Sequence, residues 1–218
     1  MNISRNVELI RQNIESLATH SEAVNIVAAT KYVNANQMEE LFESGITMMG
    51  ENRVDALLEK KAQMTLPIEW HFIGTLQSRK VKDMINEIVC LHSLDRLSLA
   101  KEIQKYRQEP LPCFIQVNVS QEESKHGLNV EEVIPFIEAL KQYPVIEVIG
   151  LMTMAPHTDD ENVIRDCFKK LKQLQTTIST SGCAKNCLML SMGMSNDYQI
   201  AIEEGATHIR LGSVLFQD

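Results

Sequence analysis

The chain has 218 residues, 44% apolar and 23% charged, the balance of a soluble globular protein with room for a sizeable core and no compositional disorder. Its formal charge of −8 excludes a general nucleic-acid or anionic-membrane surface, because phosphate backbones are held by excess Lys and Arg. A small phosphorylated ligand stays open, since it needs only a local cluster of donors.

No apolar run reaches membrane-spanning length, and the opening MNISRNVELIRQNIESL is amphipathic rather than a signal-peptide core, so a cytoplasmic location is expected. The cysteines are Cys90, Cys113, Cys167, Cys183 and Cys187. Their odd number favours reduced thiols, and no His or second Cys pair completes a zinc pattern, so no metal is expected.

After the N-terminal helix, short β-branched apolar runs alternate with amphipathic stretches. The spacing predicts strands over Val24–Thr30, Ile46–Gly50, Glu69–Ile73, Ile88–His92, Cys113–Val119, Ile146–Met152, Leu188–Ser191 and His208–Leu211. Helices are predicted over Asn34–Ser44, Arg53–Met64, Ser78–Asn86, Asp95–Arg107, Val130–Gln142, Asp160–Thr180 and Asn196–Glu204. Asp95 and Ser195 stand where N-caps belong, Gly45 and Gly205 where a left-handed C-terminal residue belongs. Near-continuous apolar strands are those of a parallel sheet covered on both faces. Eight of them alternating with helices predict an α/β fold, a (β/α)8 TIM-type barrel spanning residues 1–218 as one domain, with an open doubly wound sheet as the alternative. Only Ser213–Asp218 follow the last strand, so the N-terminal helix is expected to cover the place of a closing helix.

Chemistry in such barrels gathers where strands end. Those positions are Thr30-Lys31, Gly50-Glu51-Asn52, His71 with Gly74, Asn118, Met152, Ser191–Ser195 and Arg210–Ser213. Lys31 closes an apolar run, so its amine is expected in the barrel mouth, partly desolvated and able to condense with an aldehyde; the other reading is a strand-end lysine that snorkels or pairs with a carboxylate. Lys60, Lys61, Lys101, Lys169, Lys170 and Lys172 read as solvated helix faces. Ser191-Met-Gly-Met-Ser195 and Arg210-Leu-Gly212-Ser213 offer donors after strands seven and eight, where barrels often hold a phosphate; an ordinary cap and an ordinary glycine turn are the other reading. Arg210 cannot deprotonate, and is either a donor at this site or a partner for Glu203 or Glu204. His157-Thr-Asp-Asp-Glu161 reads as a loop whose acids favour the next helix start, Ser78–Lys82 as a solvated helix start, and His71 as core or pocket lining.

These stretches together resemble the pyridoxal phosphate homeostasis protein family, whose barrel is similar to the N-terminal domain of alanine racemase. The resemblance runs from about Ile26 to Phe216 on Ala-Thr-Lys31, Gly50-Glu-Asn52, Trp70–Gln77, Ser93-Leu-Asp95-Arg96, Gln116-Val-Asn118, Ser124-Lys-His-Gly127, Gly150-Leu-Met152, Ser191–Ser195 and Arg210–Ser213. It implies that Lys31 forms a Schiff base with pyridoxal 5′-phosphate (PLP), and that Ser195, Gly212, Ser213 and the Met194 backbone hold the phosphate. Arg210 would then face the pyridine nitrogen, keeping it unprotonated and the ring a weak electron sink, with Asn52 and Met152 nearby. The implied role is a PLP carrier or regulator in vitamin B6 balance, without established turnover, a monomer touching PLP-dependent apoenzymes transiently and binding neither nucleic acid nor membrane.

Lys125 is a second lysine in a family-like motif, read either as a transient PLP acceptor or as a surface residue. Arg53 stands where the family often has an aromatic residue and Arg79 where it often has Asn. The chain ends Phe216-Gln-Asp where the family usually continues with Gly and a basic residue, a difference at the edge of the phosphate loop. Two enzymic readings stand beside the carrier: a PLP-dependent racemase or decarboxylase, and a PLP-independent isomerase of a phosphorylated metabolite with Glu51 or His71 as base.

Overall fold

The computed structural model describes residues 2–19, 23–123 and 126–218. Eight parallel strands close a barrel in chain order: β1 (Asn25–Ala29), β2 (Met48–Glu51), β3 (Glu69–Phe72), β4 (Cys90–Leu94), β5 (Leu111–Gln116), β6 (Ile146–Met152), β7 (Met189–Ser191) and β8 (His208–Leu211). Closure comes from β8 pairing β1, with Asn25 opposite His208 and Ala28 opposite Leu211. The (β/α)8 reading therefore stands, and the open sheet does not.

The outer layer comprises α1 (Ile3–Leu17), α2 (Ala35–Glu43), α3 (Val54–Gln63), α4 (Val81–Met84), α5 (Leu97–Tyr106), α6 (Val133–Leu140), α7 (Glu161–Thr180) and α8 (Tyr198–Glu203). Leu41, Leu57, Leu99, Ile103, Phe168 and Leu171 lie fully buried between helices and barrel. This apolar layer supplies most of the driving force for the fold. After β8 the chain makes only a short 3-10 turn, Ser213–Leu215. As expected, α1 lies alongside: Asn6 donates to the carbonyls of Leu215 (3.1 Å) and Gln217 (2.8 Å), and Asn13 to the Tyr198 hydroxyl (2.9 Å). The C-terminal turn that borders the barrel mouth is thus held by the N-terminal helix.

Gly45 and Gly205 take the left-handed backbone expected of them, with φ +85° and +101°. The two expected caps do not form. The capping position of α5 is Arg96, and the Asp95 carboxylate accepts from the Arg96 guanidinium at 2.9 Å instead. Helix α8 begins three residues after Ser195, whose hydroxyl is occupied elsewhere.

Candidate functional site

The end of β1 sets the position of Lys31. Thr30, not Lys31, is the buried residue there; its hydroxyl donates to Glu51 Oε1 (2.7 Å), tying the ends of β1 and β2 together. The chain then turns, closed by the Val33 N–H donating to the Thr30 carbonyl (3.1 Å). Lys31 rides on this turn, exposed, with its ammonium 5.1 Å from the centroid of the Tyr32 ring. The expected desolvation of the amine is corrected: the strand ends at Ala29, one residue before the end of the apolar run, and the turn carries the Lys31 side chain to the rim.

Lys31 nevertheless borders a cavity of about 550 Å³ at the C-terminal end of the barrel. Asn52, Met194, Ser195, Arg210, Gly212 and Ser213 border the same cavity. Seven of the eight expected site residues are therefore brought together. Met152 is not among them: it is buried in an apolar cluster with Cys90 and Phe114. Its neighbour but one, Met154, reaches the cavity, together with Tyr32, Ile73 and Phe216. Side chains alternate along a strand, so two residues past an inward position, where β6 has ended, the chain reaches the rim. That signal was available in the sequence.

Gly74 explains how Asn52 reaches its place. A Cβ on Gly74 would stand 2.5 Å from the Asn52 carbonyl oxygen and 2.7 Å from its Cα, so only glycine lets the loop after β2 lie on the loop after β3.

The loops after β7 and β8 are stitched together by Ser195, whose Oγ accepts from the backbone N–H groups of Gly212 (3.2 Å) and Val214 (3.3 Å). The Met194 N–H donates to Asp197 Oδ1 at 2.7 Å, so the expected phosphate donor at Met194 is already engaged by a carboxylate. Burial raises the Asp197 pKa, opposed by that hydrogen bond and by Arg210.

Arg210 is buried, 4% exposed, and borders the cavity. Its Nη1 donates to Ser191 Oγ (2.6 Å) and its Nη2 to the Thr153 carbonyl (3.0 Å). Burial pushes its pKa down to about 10, with Asp197 acting against that. Glu203 and Glu204 pair instead with Arg165, at 3.0 and 2.8 Å, so the alternative reading of Arg210 as their partner falls.

Behind Arg210 a chain of polar side chains runs through the barrel interior. Ser191 Oγ is 2.8 Å from His92 Nδ1, and His92 Nε2 is 2.8 Å from His71 Nδ1. Because β4 and β7 are not neighbours, the Ser191–His92 contact crosses the interior. Burial takes the pKa of His71 down to about 3 and of His208 to about 4, and holds His92 well below the ordinary imidazole value. His71, Cys90 and His92 bring ligand-type atoms within 4.8 Å of one another, yet both nitrogens of His92 are spent on these contacts. His71 is thus a core residue.

Glu51 is 1% exposed and accepts from Thr30 and from Lys60, a lysine of α3 with a side chain only 16% exposed. Lys60 also donates to the Thr30 carbonyl. It is not the solvated residue expected from its helix; it lies three residues after buried Leu57, on the face turned to the barrel. Glu51 and His71 are both withdrawn from the cavity, which leaves the isomerase reading without its bases. Lys125 and Ser124 lie outside the described residues.

The barrel and its rim define a class. The chain matches the family model of the alanine racemase N-terminal domain over residues 6–218. Within that class it is 38% identical over 220 residues to the pyridoxal phosphate homeostasis protein of Aquifex aeolicus, covering 98% of this chain and 95% of the relative. It is 34% identical over 219 residues to the protein of the same name from Pseudomonas aeruginosa, covering 99% of this chain and 93% of the relative. The chain belongs to the pyridoxal phosphate homeostasis protein family. Among solved structures, PipY of Synechococcus elongatus without PLP superposes with a TM-score of 0.88 at 26% identity, covering 99% of this chain and 100% of PipY; PipY has also been solved with PLP bound. No helix among the described residues is long and apolar enough to cross a membrane.

Proposed function

We propose that this chain binds PLP between Lys31 and the loops after β7 and β8, and serves the intracellular supply of that cofactor as a carrier or regulator without turnover. The observation that carries the reading is that one amine, one buried guanidinium and the hydroxyls of Ser195 and Ser213 border a single cavity of about 550 Å³. That volume lies in the range of small-molecule sites, roughly 300–1,000 Å³. PLP supplies an aldehyde, which condenses with a neutral primary amine with loss of one water, and a phosphate group.

The donor set fits those groups. Lys31 is the amine on the cavity rim. Ser195, Gly212 and Ser213 would hold the phosphate, with the Gly212 N–H turning to it from Ser195 Oγ, and no Asp or Glu among the described lining residues repels a dianion. Arg210 has donors only, and suits the lone pair of the pyridine nitrogen. Asn52 and Met194 line the same cavity and would lie near the ring.

A racemase or decarboxylase needs a second acid–base group. The described lining holds one phenol, Tyr32, which is 88% exposed and lies against the Lys31 ammonium, and no imidazole or carboxylate. That composition favours the carrier. Residues 1–218 form one cofactor-binding domain in this reading, monomeric and cytoplasmic, with apoenzymes as transient partners and neither nucleic acid nor membrane. The reading is tested by adding PLP, reducing with borohydride and mapping peptides by mass: the expected result is a pyridoxyl group on Lys31, and an unmodified Lys31 peptide at saturating PLP rejects it.

A further inference from the structure

The proposed site leaves the histidines of the barrel interior without a role. Arg210 can only donate, so Ser191 Oγ must accept from it. Ser191 is fully buried, and the hydrogen-bond partners of its hydroxyl among the described residues are Arg210 and His92 Nδ1. Its hydroxyl proton is satisfied only if His92 Nδ1 accepts, since a His92 Nδ1–H would leave that proton unpaired in the interior. His92 then carries its proton on Nε2 and donates to His71 Nδ1 at 2.8 Å. The direction of every bond in the chain follows from the guanidinium at its head.

From this geometry we infer that His92 and His71 are positioning residues for Arg210: a one-directional hydrogen-bond chain across the barrel holds the guanidinium so that its unspent N–H groups meet the heteroaromatic nitrogen of the ligand. The inference rests on the PLP reading above and extends it to two residues that do not border the cavity.

Three further observations support it. The four side chains come from β3, β4, β7 and β8 and are all buried, so the chain is rigidly mounted on the barrel wall. The Phe114 ring stacks on His92 with centroids 4.5 Å apart, fixing the imidazole plane. Each O–H or N–H in the chain points its hydrogen away from Arg210 and its acceptor atom toward it, an alignment that stabilises a buried cation without a carboxylate in contact. Both imidazoles stay neutral by burial, as the chain requires.

The test begins with the wild-type protein. Two-bond nitrogen–proton correlation spectra report imidazole tautomers directly, and the expected result is His92 protonated on Nε2 and His71 accepting at Nδ1. A His92 protonated on Nδ1 overturns the inference without any variant being made. PLP is then titrated into wild type, His92→Phe, His71→Leu and His71→Asn. Phe keeps the stacking but not the hydrogen bonds; Asn keeps an acceptor near the Nδ1 position. His92→Phe is expected to shift the absorbance maximum of bound PLP and to weaken Kd about three- to tenfold, as for loss of one buried neutral hydrogen bond. His71→Leu should move both in the same sense, and His71→Asn should restore the wild-type maximum. Folded variants with the wild-type maximum and Kd reject the relay, whereas a wild type that takes up no PLP rejects the site itself.

Discussion

Ser195 Oγ accepts the backbone N–H groups of Gly212 and Val214, at 3.2 and 3.3 Å, and so joins the loop after β7 to the loop after β8 at the cavity edge. One side chain thereby shapes both halves of the proposed phosphate site. Ser195→Ala leaves two N–H groups without their acceptor, at a cost of about 1 kcal/mol in stability, and is expected to weaken PLP binding about five- to tenfold. Ser195→Thr, which keeps the oxygen, should lie closer to wild type. Titration of all three proteins with PLP checks this; equal affinity for the Ala and wild-type proteins would mean that Ser195 does not organise the site.

Lys60 and Glu51 bind the base of the Lys31 turn. Glu51 is buried, and its second oxygen has no hydrogen-bond partner among the described residues, so Lys60 is its main charge compensation. Lys60→Met strands that carboxylate and should cost about 2–4 kcal/mol, because breaking a buried pair leaves an uncompensated charge. The double variant Lys60→Met with Glu51→Gln should recover part of the loss. Denaturant midpoints measure both, and a single variant as stable as wild type would contradict the pairing.

Much of this arrangement could be read from residue order, and the failures have identifiable causes. All eight strands and their closure follow from the apolar runs, but edges drift: β4 runs Cys90–Leu94 rather than Ile88–His92, because buried parallel strands give no alternation to mark their ends. Arg210, Ser195, Gly212 and Ser213 are legible because they follow the last two strands. The exposure of Lys31 is not, since a strand-end residue and the first turn residue look alike in sequence. Lys60 was hidden by its helical setting, although its spacing from Leu57 marks the inner face. His92 is silent alone; its partners lie 21 and 99 positions away along the chain.

The buried histidines set a pH dependence. His71 titrates at about 3 and His208 at about 4 in the folded chain, both below the ordinary 6.5, and His92 is displaced in the same direction. Between those values and 6.5 the unfolded chain binds more protons, so stability rises with pH there. The contribution of the neutral imidazoles is complete above about pH 6.5 and is lost as pH falls toward 4 and 3, by a total on the order of several kcal/mol. Thermal melts from pH 7 to pH 4 should show a falling Tm, and His208→Gln should flatten part of that fall. A Tm independent of pH across this window would contradict neutral interior imidazoles.

The central claim is that the amine of Lys31 and the donors of the last two loops hold one PLP molecule. It is tested most directly by absorbance spectra of the purified protein with PLP added, wild type against Lys31→Ala. The wild type is expected to show a visible band that borohydride abolishes, and Lys31→Ala to show only the spectrum of unbound PLP. An identical band in both proteins, or none in the wild type, would contradict the account.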